Sequence, residues 1–419
     1  MSYIVIPIFS DPFLHPLHKD NGLSMLYIKE IGKESNMICQ FHPDCVGVLE
    51  DYKWLEDKLI FTPDAKVLQH LHPFKNVTDI NWEWWSATNK PFDMGKVRNN
   101  AYDFFHNKYY NVKRLNEIIP ILKHKEYCDD LTEQLMKYVL IDGVKNSQYS
   151  REVTEAFTYI ESNGVKVSDD VCDIFDMRVK KHISGGRLYT KYNLWTSTGR
   201  PSNSFGNVNF AALTKDQRKA FIPENDALVE YDYDAYHLRL IADLVGYHTF
   251  DENSVHQHLA DFYGSTYEES KQISFKLLYG GIDKETREKV PFFDLTHTKI
   301  NTDWEYFKSN NYIKTDIYMR KLLSTNYTDM NKNKLFNYLI QAYETESNIK
   351  TIIELKRYLL DKKTKLVLYG YDSFLFDFSK QDGVSTLTEL KNILERNGHM
   401  VKSQAGSNYG EMNDISDRL

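Results

Sequence analysis

The chain has 419 residues, of which 42% are hydrophobic and 14% aromatic, and carries a formal net charge of -7. That composition excludes a disordered chain, and the lack of any apolar run near the ~20 residues of a bilayer crossing excludes a membrane-embedded one. The acidic balance excludes a grip on nucleic acid by bulk charge, so any such contact needs a local basic track.

The opening run Met1-Ser2-Tyr3-Ile4-Val5-Ile6-Pro7 has neither the basic stretch nor the small-residue cleavage site of a secretory signal, which predicts a cytoplasmic protein. Short β-rich runs at Tyr3–Phe9, Ser24–Ile31 and Asn36–Phe41 alternate with turn residues, and helical segments such as Lys108–Leu122 follow. Together they predict a small α/β domain. Cys39, Cys45, Cys128 and Cys172 form no C-x-x-C pair and lack histidines at zinc spacing, so they are read as ordinary thiols. A helical pattern over Glu152–Asn163 stops at Gly164, which suits a left-handed C-terminal turn and a domain boundary. The stretch Lys284–Asn331 reads as mostly helical.

Three elements carry residues suited to chemistry. Ala227–Asp234 is β-like, and in the following segment Leu238, Ile241, Ala242 and Val245 recur at helical spacing, so Asp232 sits at a strand end leading into an amphipathic helix. Lys365–Phe378 reads as two apolar strands around a tight turn that holds Asp372. Two carboxylates on separate rigid elements are what a pair of divalent ions ~4 Å apart requires, although aspartate is also common in exposed turns. In the helix Tyr267–Gly281, Lys271, Phe275 and Tyr279 recur every four residues. A cation followed by two aromatics suits a triphosphate and a base, and equally a core stripe with a snorkelling lysine.

In this order and spacing the elements resemble the family A DNA polymerases. Thr196-Ser197-Thr198-Gly199-Arg200-Pro201-Ser202 is similar to the family's T-x-T-G-R-L-S, and Arg218 through Phe221-Ile222-Pro223 to its R-x-x-F-I-P. Asp232-Tyr233-Asp234-Ala235-Tyr236-His237-Leu238-Arg239 resembles motif A, Lys271 to Gly280 motif B, and Tyr371-Asp372-Ser373 motif C. Asn337 to Gln341 resembles the N-x-x-x-Q that touches template and primer, Val401–Tyr409 the closing strand, and Ile160–Val167 the segment between exonuclease and polymerase regions. The likeness covers roughly residues 160–419 well and 1–160 weakly.

The resemblance implies an α/β and α+β multidomain protein with a right-hand palm and fingers and an N-terminal RNase H-like, 3′–5′ exonuclease-like domain. The domains fall at 1–150 (degenerate exonuclease-like), 151–195 (connector and reduced thumb) and 196–419 (palm and fingers). It implies catalysis by Asp232, Asp372 and Lys271, with two Mg²⁺ ions, or Mn²⁺ in their place, on Asp232, Asp372 and the Tyr233 backbone carbonyl. Tyr233, His237, Lys271, Phe275 and Tyr279 are the implied nucleotide-binding residues. Arg200, Arg218, Arg239, Asn337 and Gln341 are the implied DNA-binding residues. Primer-template DNA and dNTPs are the expected partners, with a processivity factor or other replisome protein beside them and no membrane. The compact form points to a virus or bacteriophage enzyme acting in the host cytoplasm.

Departures from the family shape this reading. Tyr267 stands for the motif B arginine, leaving Arg239 or Lys276 to compensate, His237 for the glutamate that screens the ribose 2′-hydroxyl, and Ser373 for the motif C glutamate. The interval from Gly164 to Arg200 is too short for a full thumb. No D-x-E occurs before residue 160, Tyr102–His106 ends in His106 where an exonuclease has aspartate, and Asp64 is read as a remnant of a second exonuclease motif, so proofreading is not expected. Two other functions fit these departures: a non-catalytic, polymerase-derived DNA-binding or replisome scaffold, and a primase or terminal transferase that accepts ribonucleotides.

Overall fold

The computed structural model describes residues 1–9, 14–34, 36–40, 49–89, 128–133, 135–136, 147–206, 208–250 and 254–418. Lys108–Leu122, Tyr102–His106 and Cys45 lie outside these residues. The chain forms two compact units that interleave in sequence: Met1–Trp195 with Asn203–Ala212, and Thr196–Ser202 with Leu213–Leu419.

The first unit is built on a mixed sheet of β1 (Ser2–Phe9), β2 (Leu23–Glu30), β3 (Asn36–Gln40), β4 (Leu59–Thr62) and β5 (Asn76–Asp79), in the order β3-β2-β1-β4-β5. β1 and β2 pair antiparallel, as do β2 and β3, whereas β4 runs parallel to β1 and β5 parallel to β4. Alternation along β1 serves two cores. Ile4, Ile6 and Ile8 pack with Met25, Tyr27 and Ile80 on one face, while Tyr3 and Val5 pack with Leu26, Ile28 and Ile60 on the other.

Helix α1 (Ala65–Leu71) is capped by the Asp64 carboxylate, which accepts from the Val67 amide, and α2 (Ile80–Thr88) by Asp79, which accepts from Trp82. Asp64 is therefore occupied as a helix cap. Helix α3 (Gln148–Asn163) ends where expected, at Gly164, with φ +63; a Cβ there would come within 3.1 Å of the Tyr189 ring. From Gly164 to Trp195 the chain makes only a four-residue helix, Val171–Ile174, a 3₁₀ turn, Met177–His182, and two-residue strands. A small sheet joins Tyr192–Asn193, Ser202–Phe205 and Val208–Asn209.

In the second unit, β6 (Ala227–Tyr233) leads into α4 (Tyr236–Val245), α5 (Val255–Tyr263) and α6 (Tyr267–Gly280). The short helix Lys284–Lys289 and α7 (Pro291–Asn310) make the stretch Lys284–Asn331 mostly helical, as expected, and a hairpin of β7 (Tyr312–Lys314) and β8 (Lys321–Leu323), which was not expected, follows them. Strands of three residues are too short to set up a period of two. Helix α8 (Lys332–Tyr358) is followed by β9 (Lys365–Tyr369), β10 (Ser373–Phe378), α9 (Ser385–Glu395), β11 (Val401–Asn408) and β12 (Glu411–Asp414). The strands form an antiparallel sheet in the order β9-β10-β6-β11-β12, so β6 lies at its centre. The helices α4, α5, α7 and α8 share a separate apolar core around Leu238, Ile241, Leu259, Phe292, Phe293 and Ile340. No helix of the described residues is long and apolar enough to cross a membrane.

Candidate active site

Asp232 lies opposite Ser373 on β10 and Lys402 on β11, so its position is set by paired backbone on both sides. The next amide, Tyr233 N–H, donates to the Asp372 carbonyl at 2.9 Å and brings the β9–β10 turn against the end of β6. Ala235, at φ +52, then swings the chain into α4. The two aspartates thus adjoin at one edge of a cleft of about 470 Å³ built entirely from the second unit.

Their charges are held unwillingly. Burial, then the Asp372 charge, then Glu230 push Asp232 up to about 7, against the pull of Lys402 and Lys271. Burial and then Glu344 raise Asp372, while Arg200 and His237 oppose the shift. Behind them Glu230 is buried, accepts from the Tyr409 hydroxyl at 2.9 Å, and is raised by its burial. Two desolvated carboxylates side by side favour a proton or a cation between them. Their hard oxygen donors fit Mg²⁺ or Mn²⁺ rather than a thiolate-seeking metal.

Nine of the residues expected from the sequence line this cleft: Asp232, Asp372, Arg200, Tyr233, His237, Lys271, Phe275, Asn337 and Gln341. Lys271 and Phe275, one turn apart on α6, are exposed, and the Phe275 ring is 39% exposed despite its size. Gln341 Nε2 donates to Asn337 Oδ1 at 3.1 Å on α8. The Tyr279 side chain is outside the described residues.

Two expectations are corrected. Arg239 is buried; its guanidinium donates to the Asp234 and Phe250 carbonyls at 3.0 and 2.9 Å and lies 3.6 Å from the Asp234 carboxylate, so it is unable to reach DNA or a triphosphate. The Tyr233 ring is also a core group, 4% exposed, stacked on Tyr236 at 4.2 Å with its hydroxyl donating to the Leu394 carbonyl. Arg218 lies outside the cleft with its guanidinium 4.6 Å above the Tyr409 ring.

Sequence reasoning missed Lys402, Tyr267 as a wall, and Glu344. Lys402 lines the cleft, pairs with Asp234 at 2.6 Å and reaches the Tyr267 hydroxyl at 3.4 Å. It places a cation near Tyr267, whereas neither Arg239 nor the exposed Lys276 lines the cleft. Its signal was the strand pattern of Val401–Tyr409, whose register places it directly opposite Asp232. Glu344 is fully buried: Arg200 Nη2 donates to its Oε1 at 3.2 Å and Arg200 Nε lies 2.8 Å from Oε2, while His237 Nε2 lies 3.3 Å from Oε1.

The first unit holds another group of ligand-type side chains, His15, His70 and Glu161, with donor atoms within 4.8 Å of one another. There Glu161 is paired with the buried Lys66 ammonium and with His70 at 3.1 Å, and it accepts from the Tyr192 amide at 2.8 Å. A cation would meet Lys66. The cluster reads as a charge-compensated core.

No protein-family model matches the chain, and no curated protein matches it in sequence. Its structure is similar to the polymerase domain of Pol1 from M. smegmatis, solved in complex with a DNA primer-template and dNTP. The TM-score is 0.70 over 98% of this chain and 96% of that one, at 14% sequence identity. The chain therefore has the fold of a polymerase domain.

Proposed function

We propose that this protein is a template-directed DNA polymerase of the family A type, adding dNTPs to a primer 3′-hydroxyl. The observation that carries this reading is the pairing of Asp232 and Asp372 at adjoining ends of bonded strands, in one cleft with the exposed Lys271 and Phe275, within a polymerase-domain fold. The similar Pol1 domain holds primer-template and dNTP, and those are the partners proposed here.

Asp232, Asp372 and the Tyr233 carbonyl would hold two Mg²⁺ ions, or Mn²⁺. When bound, such ions activate the 3′-hydroxyl and neutralise charge on the triphosphate. The chain's own groups do the rest. Lys271 offers an ammonium to the triphosphate, Phe275 an aromatic face to the base, and Lys402 a second positive charge beside Asp232. Arg200, held by Glu344, and the Asn337–Gln341 pair present donors to the primer-template.

Supporting an exonuclease-like first domain is its sheet, three antiparallel strands followed by two parallel ones in the order 3-2-1-4-5, as in RNase H-like folds. The absence of D-x-E before residue 160 and the capping role of Asp64 support loss of its chemistry. The short pieces between Gly164 and Trp195 support a reduced thumb, and with it a partner that aids processivity. A compact virus or bacteriophage enzyme working in the host cytoplasm is the source we infer.

The test is extension of a labelled primer-template with Mg²⁺ and either nucleotide set, with Asp232→Asn as the blank. Templated dNTP addition by the wild type alone is expected; binding without extension would replace the enzyme with a scaffold. A second reading, acceptance of ribonucleotides, is favoured by His237, whose imidazole leans on Glu344 where the family has a sugar-screening glutamate. The ribonucleotide arm tests it.

A further inference from the structure

Asp372 follows a backbone conformation that few residues adopt. Its amide donates to the Gly370 carbonyl, two residues back, at 3.1 Å, and Tyr371 between them has φ +75. An i to i+2 hydrogen bond across a residue of positive φ is the rarer form of γ-turn, strained for any residue with a side chain. Such a turn persists only where its surroundings over-determine it.

Two residues four apart on α8, and so on one face of that helix, supply the constraint. Asn348 Nδ2 donates to the Tyr371 carbonyl at 2.7 Å and to the Tyr369 hydroxyl at 3.1 Å, while the Tyr236 hydroxyl donates to Asn348 Oδ1 at 2.8 Å. A carbonyl only accepts, so the amide has one orientation. Asn348 is completely buried, where an amide is costly unless its bonds are all made. Glu344 works on the other end of Tyr371. By holding Arg200, it keeps the guanidinium 3.8 Å above the Tyr371 ring. Tyr371 is gripped at its carbonyl and at its ring by groups anchored on a single helix, and neither anchor is among the residues lining the cleft.

We propose that Asn348 and Glu344 are positioning residues that hold Tyr371 in the strained turn and thereby set the place of the Asp372 carboxylate. The functional half of this statement rests on the polymerase reading; the brace rests on the contacts alone.

The experiment uses the full chain and two readouts. In steady-state primer extension, Asn348→Ala should lower kcat by about 100-fold with KM for dNTP changed less than about threefold, since the loss is one of alignment. Adding Tyr371→Gly should recover about tenfold, because glycine adopts positive φ without a brace. A role limited to filling the core would not be relieved by a change at residue 371. In amide hydrogen exchange, Asn348→Ala should speed exchange across 369–375 and leave β6 unchanged. Should Asn348→Ala fail to fold, Tyr236→Phe, which removes only the hydroxyl that orients the amide, carries both measurements. Unchanged exchange over 369–375, or a kcat loss that Tyr371→Gly does not lessen, overturns the proposal. If the wild type extends no primer, the polymerase reading fails, and the exchange readout alone decides the brace.

Discussion

A carboxyl raised to about 7 in the folded chain, as Asp232 is by burial and then by Asp372, takes up a proton on folding, because in the unfolded chain its pKa is about 3.9. The stability it permits is complete below about pH 4 and is lost as pH rises through about 7. Asp232→Asn, an uncharged isostere, should therefore abolish extension and at the same time raise Tm by a few degrees at pH 8, with little change at pH 4. Thermal melts at the two pH values check the sign. Asp372→Asn should likewise abolish extension while leaving DNA binding within about twofold, since an amide keeps the shape and loses the charge. The raised pKa also predicts competition between proton and cation. The Mg²⁺ concentration for half-maximal extension should climb as pH falls from 8 to 6, and a flat requirement over that range would take Asp232 out of the ion site.

Helices α1 and α3 meet through Lys66, His70 and Glu161, and that junction should dominate the acid stability of the first unit. Burial alone would raise Glu161, but Lys66 and then His70 outweigh it and hold the carboxyl at about 2. Its contribution is present above about pH 4.3 and lost as pH falls towards 2. Burial, and then His70, lower His15 well below its usual value, which adds a loss beginning below about pH 6.5. Glu161→Gln would leave Lys66 buried without its counter-charge and should cost about 3–5 kcal/mol. Urea denaturation followed by tryptophan fluorescence reads it, since Trp82 and Trp85 lie in that unit's core. At this scale the sequence was informative wherever a period was clean. The β6–α4 unit showed a strand and then a four-residue stripe, and Asp232 could be placed at their junction. Arg239 was misread because a helical arginine looks like a free cation until its donors are found on the Asp234 and Phe250 carbonyls. Glu344 left no trace for a different reason. It belongs to the run Glu344-Thr345-Glu346-Ser347-Asn348, every member of which is buried, so polarity along α8 says nothing about which side faces solvent.

Across the whole molecule, the cations in the candidate cleft are few, chiefly Arg200, Lys271 and Lys402, set against a net charge of -7. Binding to primer-template should then weaken by about tenfold or more between 50 and 200 mM salt, and a trap assay should yield products of only a few nucleotides per encounter. Products of hundreds of nucleotides per encounter would show a grip that the second unit's cations do not explain. Purified protein should also leave a mismatched 3′ terminus in place; its Mg²⁺-dependent removal would restore exonuclease chemistry to the first unit. The alternation of the two units along the chain bears finally on ancestry. Asn203–Ala212 belongs to the first unit but is encoded downstream of the first seven residues of the second. A genetic crossover at the Trp195/Thr196 seam would give a first unit without its own Val208 and Phe210, both buried, and with a foreign strand beside Tyr192–Asn193. Recombination at that seam is penalised unless the two parents match over these ten residues, so the halves should descend together, and a shuffled gene library should recover functional chimeras at other joints first.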